Sequence, residues 1–261
     1  GVIGCGDITK YMMMLTKLDR NIKVVGFADP DESRARKFAA RYKDAGAYKD
    51  YNEMLANEEI DAAYVAVPHF LHYSIVKDLI LKGVHVLCEK PAAATIQEVK
   101  KMIEVRDRTE KFVAIGYQWS YNLAIHRLKK DIGEGVLGKP KQFKTIVLWP
   151  RNDAYYHRSF WAGKIKDNNG NWILDSVATN ATAHYIHNMF YVLGGQLDES
   201  ARPVEVSAEL YRANDIENYD TAVIRAYTQD GVELLYFGSH AVKENLDPVF
   251  HYQFENATVI F

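Results

Sequence analysis

Cysteine is scarce. Cys5 and Cys88 are the only two in 261 residues, and both sit at the ends of strand-like apolar runs. That argues against a disulfide framework, and their spacing offers no zinc site, so no metal is expected. Excess charge is missing too. The net charge is −2, which leaves no electrostatic footprint for nucleic acid or an anionic membrane. No apolar run approaches the roughly 20 residues of a membrane-crossing helix. What is present is a globular balance of 48% hydrophobic and 25% charged residues, over a length that suits two domains. The chain begins inside a motif, at GVIGCG, and ends inside the strand-like ATVIF, so further residues are expected beyond both ends. A cytoplasmic location is expected, with an export signal left open.

The first half alternates between strand and helix patterns. GVIGC reads as a short buried strand, and IKVVGFADP, IDAAYVAVP, VHVLCEKP and KFVAIGYQ as further strands, with a short AYKD segment after the second. Between them lie helices through YMMMLTKL, DESRARKFAARY (charges on one face), YNEMLAN, LHYSIVKDLILKG and TIQEVKKMIEVRDRT. Gly83 stops the fourth, and Thr95 with Glu98 forms a capping box for the fifth. Such alternation predicts a parallel sheet with helices on both faces. After about residue 120 the pattern changes. A helix over 122–131 and the turn-rich GEGVLGKP lead into KQFKTIVLW, PVEVSAELY, DTAVIRAYT, VELLYFGSH and FHYQFE, which alternate as antiparallel strands do. One helix, ATAHYIHNMFYVLGG, interrupts them.

GVIGCGDITK places Gly4 and Gly6 at a strand-to-helix turn, where Cys5, Asp7 and Ile8 complete the loop. Backbone without Cβ approaches a pyrophosphate closely there, and the helix N-terminus supplies N–H groups and a positive dipole. The third fingerprint position holds Thr9 in place of Gly or Ala. Asp29 follows roughly 20 residues on, placed to accept from ribose hydroxyls. Its carboxylate repels a 2′-phosphate and so favours NAD over NADP, while Arg34 and Arg36 nearby soften that preference.

At AVPHFLH…LKGVHVLCEKPAA the chain resembles the glucose–fructose oxidoreductase/inositol dehydrogenase family (Gfo/Idh/MocA). Pro68, His72 and the Glu89-Lys90-Pro91 triplet match its pattern, as do GYQ, the GxLGKP link and a His-bearing helix. The resemblance implies an α/β fold: a Rossmann dinucleotide-binding domain over 1–119, then an α+β substrate-binding and oligomerisation domain over 120–261 with a large, mostly antiparallel open sheet. It implies an often-cis Pro91 that turns Lys90 toward nicotinamide and substrate, with Glu89 orienting it. Val67, Pro68, His72 and Gln118 join the expected cofactor-binding set. The strand ends at the carboxyl edge of a parallel sheet, where α/β domains bind ligands.

Oxidising an alcohol carbon requires a base for the hydroxyl proton, most often His. The family's helix resembles Asp-x-x-x-His-x-x-Asp, and His184 matches its base. Asn180 stands at the earlier Asp and His187 at the later one. Asn holds geometry without charge, so Asp175 is the alternative helper. His187 is expected to be structural or a substrate-side contact. VLWPRNDAYYHRSFWAGK concentrates Trp149, Arg151, Tyr156, Arg158 and Trp161, the flat faces and polar arms that sugar sites use. Its two arginines leave room for an acidic sugar. The expected function is NAD-dependent oxidation of a sugar, cyclitol or polyol by a homo-oligomer (dimer or tetramer). The alternatives are an NAD-dependent glycosidase and a non-catalytic dinucleotide sensor.

Overall fold

The computed structural model describes residues 1–16 and 18–261; Lys17, within the expected helix over 11–18, lies outside the described residues. The chain divides into two compact units, Gly1–Gly116 and Tyr117–Phe261.

In the first unit, β1 (Val2–Ile3), β2 (Gly26–Ala28), β3 (Gly46–Tyr48), β4 (Ala62–Val65), β5 (His85–Cys88) and β6 (Val113–Ile115) alternate with five helices. These are α1 (Asp7–Thr16), α2 (Glu32–Ala39), α3 (Tyr51–Asn57), α4 (His72–Leu81) and α5 (Ile96–Thr109). The strands form one parallel sheet in the order β3-β2-β1-β4-β5-β6. That is the doubly wound Rossmann order, and β1 and β4 flank its switch point. Alternation within single strands explains why helices must cover both faces. Val2 and Tyr64 pack with Phe27 and Phe38 on one side, while Ile3 and Val65 pack with Val76 and Leu79 on the other. Each fully buried large side chain contributes about 1.5–3 kcal/mol. The α5 capping box is present: Thr95 Oγ1 accepts from Glu98 N, and Glu98 Oε2 accepts from Thr95 N. Gly83, just past α4, has φ +84°, which its lack of Cβ permits.

The second unit has a six-stranded mixed sheet in the order β12-β11-β7-β10-β9-β8. Its strands are β7 (Pro140–Leu148), β8 (Pro203–Tyr211), β9 (Thr221–Thr228), β10 (Glu233–Ser239), β11 (Leu246–Phe254) and β12 (Thr258–Ile260). Only β7 and β10 pair in parallel. Helices α6 (Leu123–Gly133) and α8 (Ala183–Val192) cover one face, burying Phe143, Leu234, Tyr236, Phe250 and Tyr252. A short α7 (Asp153–His157) follows β7. Two sheet tyrosines pin α8. The Tyr252 hydroxyl donates to Asn188 Oδ1 at 2.8 Å, and the Tyr236 hydroxyl pairs with Thr182 Oγ1. The helix read as starting at Ala181 begins at Ala183, because a π-helical turn (Val177–Ala181) precedes it. Edge strand β8 is exposed along its whole length. Among the described residues no helix is long and apolar enough to cross a membrane.

Candidate functional site

The β1–α1 turn is built so that backbone, and little else, occupies it. Gly4 sits at φ +91°, and a Cβ there would strike the carbonyl of Ala66, just past β4. A Cβ on Gly6 would meet nothing within 4 Å, so Gly6 opens onto empty space at the start of α1. Thr9 explains how the loop does without a third glycine. It is fully buried, and its hydroxyl donates to Gly4 O at 2.7 Å, latching the first turn of α1 to the loop. Asp29 is 7% exposed. Its Oδ2 accepts from Cys5 N at 2.8 Å and its Oδ1 from Asp31 N at 2.9 Å. The Cys5 amide, in the expected cofactor loop, is therefore taken by Asp29. Each carboxylate oxygen keeps a second lone pair for a ribose hydroxyl. Burial, then Asp29, pushes the Cys5 thiol up to about 12, and burial raises that of Cys88 as well. Neither is a nucleophile.

Beside the loop lies a cavity of about 320 Å³ lined by Cys5, Gly6 and Asp7 together with Lys10, Arg34, Lys37 and Arg41. The last three follow the spacing of one face of α2 and its end. Arg36, grouped with Arg34 in the sequence reading, instead pairs with Glu32 at 2.6 Å. Asp7 pairs with Lys10, and Ile8 is 43% exposed. Open backbone at a helix N-terminus and a cation-lined hollow fit a dinucleotide's pyrophosphate.

At the end of β5 the Lys90–Pro91 peptide is cis. Glu89 is held from two sides, by the Tyr64 hydroxyl at 2.8 Å and by Lys90 N at 3.3 Å. Lys90 is half-buried. His72 was read as a cofactor contact, and the structure gives it other work. It is 1% exposed, with Nδ1 2.7 Å from Pro91 O and Nε2 3.0 Å from Val67 O, so it ties the Val67-Pro68 segment to the Lys90-Pro91 turn.

In the second unit, His184 is 7% exposed on the first turn of α8. The ring of Tyr117 stands edge-on to it, with centroids 5.8 Å apart. The same tyrosine stacks on His187 at 3.9 Å, and Ser120 Oγ lies 3.3 Å from His187 Nδ1. His187 is thus packed within the unit against Tyr117 and Ser120. Tyr117 was not singled out in the sequence; nothing in GYQ marks its ring as the common neighbour of both histidines. Asp175 is buried and accepts from Gly163 N and from Asn180 Nδ2, both at 2.7 Å. Leu174 before it has φ +56°, a strained setting for a residue with a side chain. Asp175 lines a small hollow with Tyr155, Tyr156, Ser176 and His240. Trp149 Nε1 donates to Asp247 Oδ1, Trp161 is half-buried, and Gln118 is exposed in a 3-10 turn.

Burial holds His72 down to about 4 against the pull of its two carbonyls. Burial, then the Lys129 charge, lowers His187 to about 4 as well. Both rings are neutral at pH 7. An unfolded histidine takes its proton near pH 6.5, so the unfolded state binds more protons below that value. Stability is therefore full above about pH 6.5 and falls as pH drops toward 4, by about 3 kcal/mol per ring. Urea unfolding of the parent and of His187→Phe across this window checks it: the variant loses less on acidification. Superimposed pH profiles would remove His187 as a source.

Residues 1–117 match the sequence profile described as "Oxidoreductase family, NAD-binding Rossmann fold". The 1-carboxy-3-chloro-3,4-dihydroxycyclohexa-1,5-diene dehydrogenase of Comamonas testosteroni is 29% identical over 53% of this chain and 35% of its own. The inositol 2-dehydrogenase of Acidothermus cellulolyticus is 31% identical over 54% of this chain and 42% of its own. A WlbA dehydrogenase from Bordetella pertussis, solved with NADH and UDP-GlcNAcA, superposes with a TM-score of 0.87 at 25% identity, covering 100% of this chain and 77% of that one. The matches span 33% to 50% of the length of the first curated relatives. Residues 1–117 are thus similar to the NAD-binding Rossmann domain of the Gfo/Idh/MocA oxidoreductases.

Proposed function

We propose that the chain is an NAD-dependent dehydrogenase acting on the CH–OH group of a sugar, cyclitol or related polyol. The observation that carries this reading is the β1–α1 turn, where Gly4 lets the loop pass against Ala66 and Gly6 leaves space before α1. The activity for which the inositol 2-dehydrogenase relative is named and the NADH and UDP-GlcNAcA bound to the structural neighbour support the substrate class. NAD is preferred over NADP because Asp29 opposes a 2′-phosphate; Arg34, Lys37 and Arg41 in the adjoining cavity temper that preference.

When bound, nicotinamide supplies the two-electron acceptor or donor. The chain's own groups do the rest. Lys90, held in a turn braced by His72 and Glu89, carries the ammonium assigned to polarising the reacting oxygen. His184 is assigned the hydroxyl proton, since a neutral imidazole accepts one near neutral pH. The Asp175–Asn180 pair sets the geometry of the turn that leads into α8. The two assignments rest on each residue's surroundings within its own unit. Self-association is part of the same reading: β8 leaves Val204, Val206 and Leu210 exposed along one face, which a second copy would cover. A sedimentation value of a monomer would remove that part.

The test is a panel of neutral and acidic sugars and cyclitols with NAD, followed by nicotinamide absorbance. Reduction with at least one member, absent in Lys90→Ala, is expected. NAD that stays oxidised with every member would count against the reading.

A further inference from the structure

Arg151 and Arg158 both stack on Tyr155, a residue that lines the second unit's hollow. Their guanidinium carbons lie 4.8 Å and 4.0 Å from the centre of one ring, that of Tyr155. Trp149 and Trp161 add a second aromatic face to each, at 5.9 Å and 5.6 Å. Two like charges are thus gathered onto a single tyrosine. Among the described residues neither arginine has a carboxylate within ion-pair distance, and the nearby acids are engaged elsewhere. Asp153 Oδ1 lies 3.2 Å from His157 Nδ1, and Glu217 pairs with Lys164. Asp175 accepts from Gly163 N and Asn180, and Asp220 from Ala213 N and Asn214 N.

Cation–π stacking alone is the simpler explanation, and it accounts for one arginine. It leaves two observations over. A neutral ring stabilises a neighbouring cation but does not cancel repulsion between two of them. Moreover, Arg151 Nε and the Tyr156 hydroxyl are buried, with no hydrogen-bond partner among the described residues. Buried donors without partners mark a place where a missing acceptor belongs. Tyr155 and Tyr156 also line the hollow that holds Asp175, whose Oδ1 accepts from Asn180, four residues before His184. The positive pair is therefore linked, through Tyr155 and the hollow, to the Asp175–Asn180 pair that leads into α8.

We infer that Arg151 and Arg158 select a substrate bearing an anionic group, a carboxylate or a phosphate ester, on the sugar or cyclitol. A planar guanidinium matches either oxyanion through paired N–H donors. This rests on the dehydrogenase reading above and narrows its substrate class.

Calorimetry on the full chain with NADH present tests it with four probes. UDP-glucuronate carries carboxylate and diphosphate, D-glucuronate the carboxylate, UDP-glucose the diphosphate, and D-glucose neither. At least one acidic probe is expected to bind about tenfold or more tighter than D-glucose. The D-glucuronate and UDP-glucose arms tell which anion is read. Arg158→Gln, an exposed position, should remove that advantage, and Arg151→Gln should do the same. Equal affinity for D-glucose, acid binding unchanged in both variants, or no acid binding while NADH binds would each overturn the assignment and leave the dehydrogenase reading standing. Failure of NADH itself to bind would overturn both.

Discussion

Gly6→Ala is expected to leave the fold intact and weaken NADH binding, whereas Gly4→Ala damages both. The two glycines are separated only by Cys5 and differ in what surrounds them. A Cβ on Gly6 meets nothing of the protein, so thermal stability should stay within about 0.5 kcal/mol of the parent. The same methyl group occupies the space a pyrophosphate needs, and NADH affinity should fall about ten- to a hundredfold. At Gly4 the added methyl runs into the Ala66 carbonyl, and φ is +91°. Backbone strain and overpacking together cost about 2–5 kcal/mol there, and binding falls with the fold. Melting curves and NADH titrations on both variants separate the cases. Parent-like binding by Gly6→Ala would mean that no phosphate passes over the loop.

The second large effect concerns turnover. Lys90→Ala and His184→Ala should each lower kcat by about 10²–10⁴-fold on whichever sugar the panel identifies. NADH affinity should stay within a few-fold in His184→Ala, because the loop, Asp29 and the cation-lined hollow are untouched. The variant is not expected to unfold, since α8 remains tied down at Thr182 and Asn188 by Tyr236 and Tyr252. Stopped-flow measurement of nicotinamide reduction reads the chemical step apart from product release. Parent-like rates in either variant would take that residue out of the reaction.

Much of the first unit could be read from its sequence because burial on both faces leaves a plain signature. Val2, Ile3, Tyr64 and Val65 are all buried, and strands with that demand read as unbroken apolar runs. The charged face of α2 was also visible, but not what it faces. Arg34, Lys37 and Arg41 line the cavity while Arg36 turns back to Glu32, a choice made by side-chain packing and not by spacing. Thr9 departs from the fingerprint, and the closure of its hydroxyl on Gly4 O is a side-chain contact that spacing does not show. The second unit yielded its strands through period-two alternation, and β8 spans the residues so read. Its site was less legible. The π-helical turn at Val177–Ala181 has no sequence signal, and it sets where Asn180 meets Asp175. Helical spacing alone had placed Asn180 on one face with His184. Nor does adjacency in the sequence show that Arg151 and Arg158 share one ring, since it is the α7 turn between them that brings both to Tyr155.

The most direct measurement is a titration of the protein with NADH and, separately, with NADPH, followed by nicotinamide fluorescence. The account predicts saturable NADH binding and weaker NADPH binding, with the gap narrowing in Asp29→Asn as the carboxylate charge is removed. Binding of neither nucleotide would contradict it.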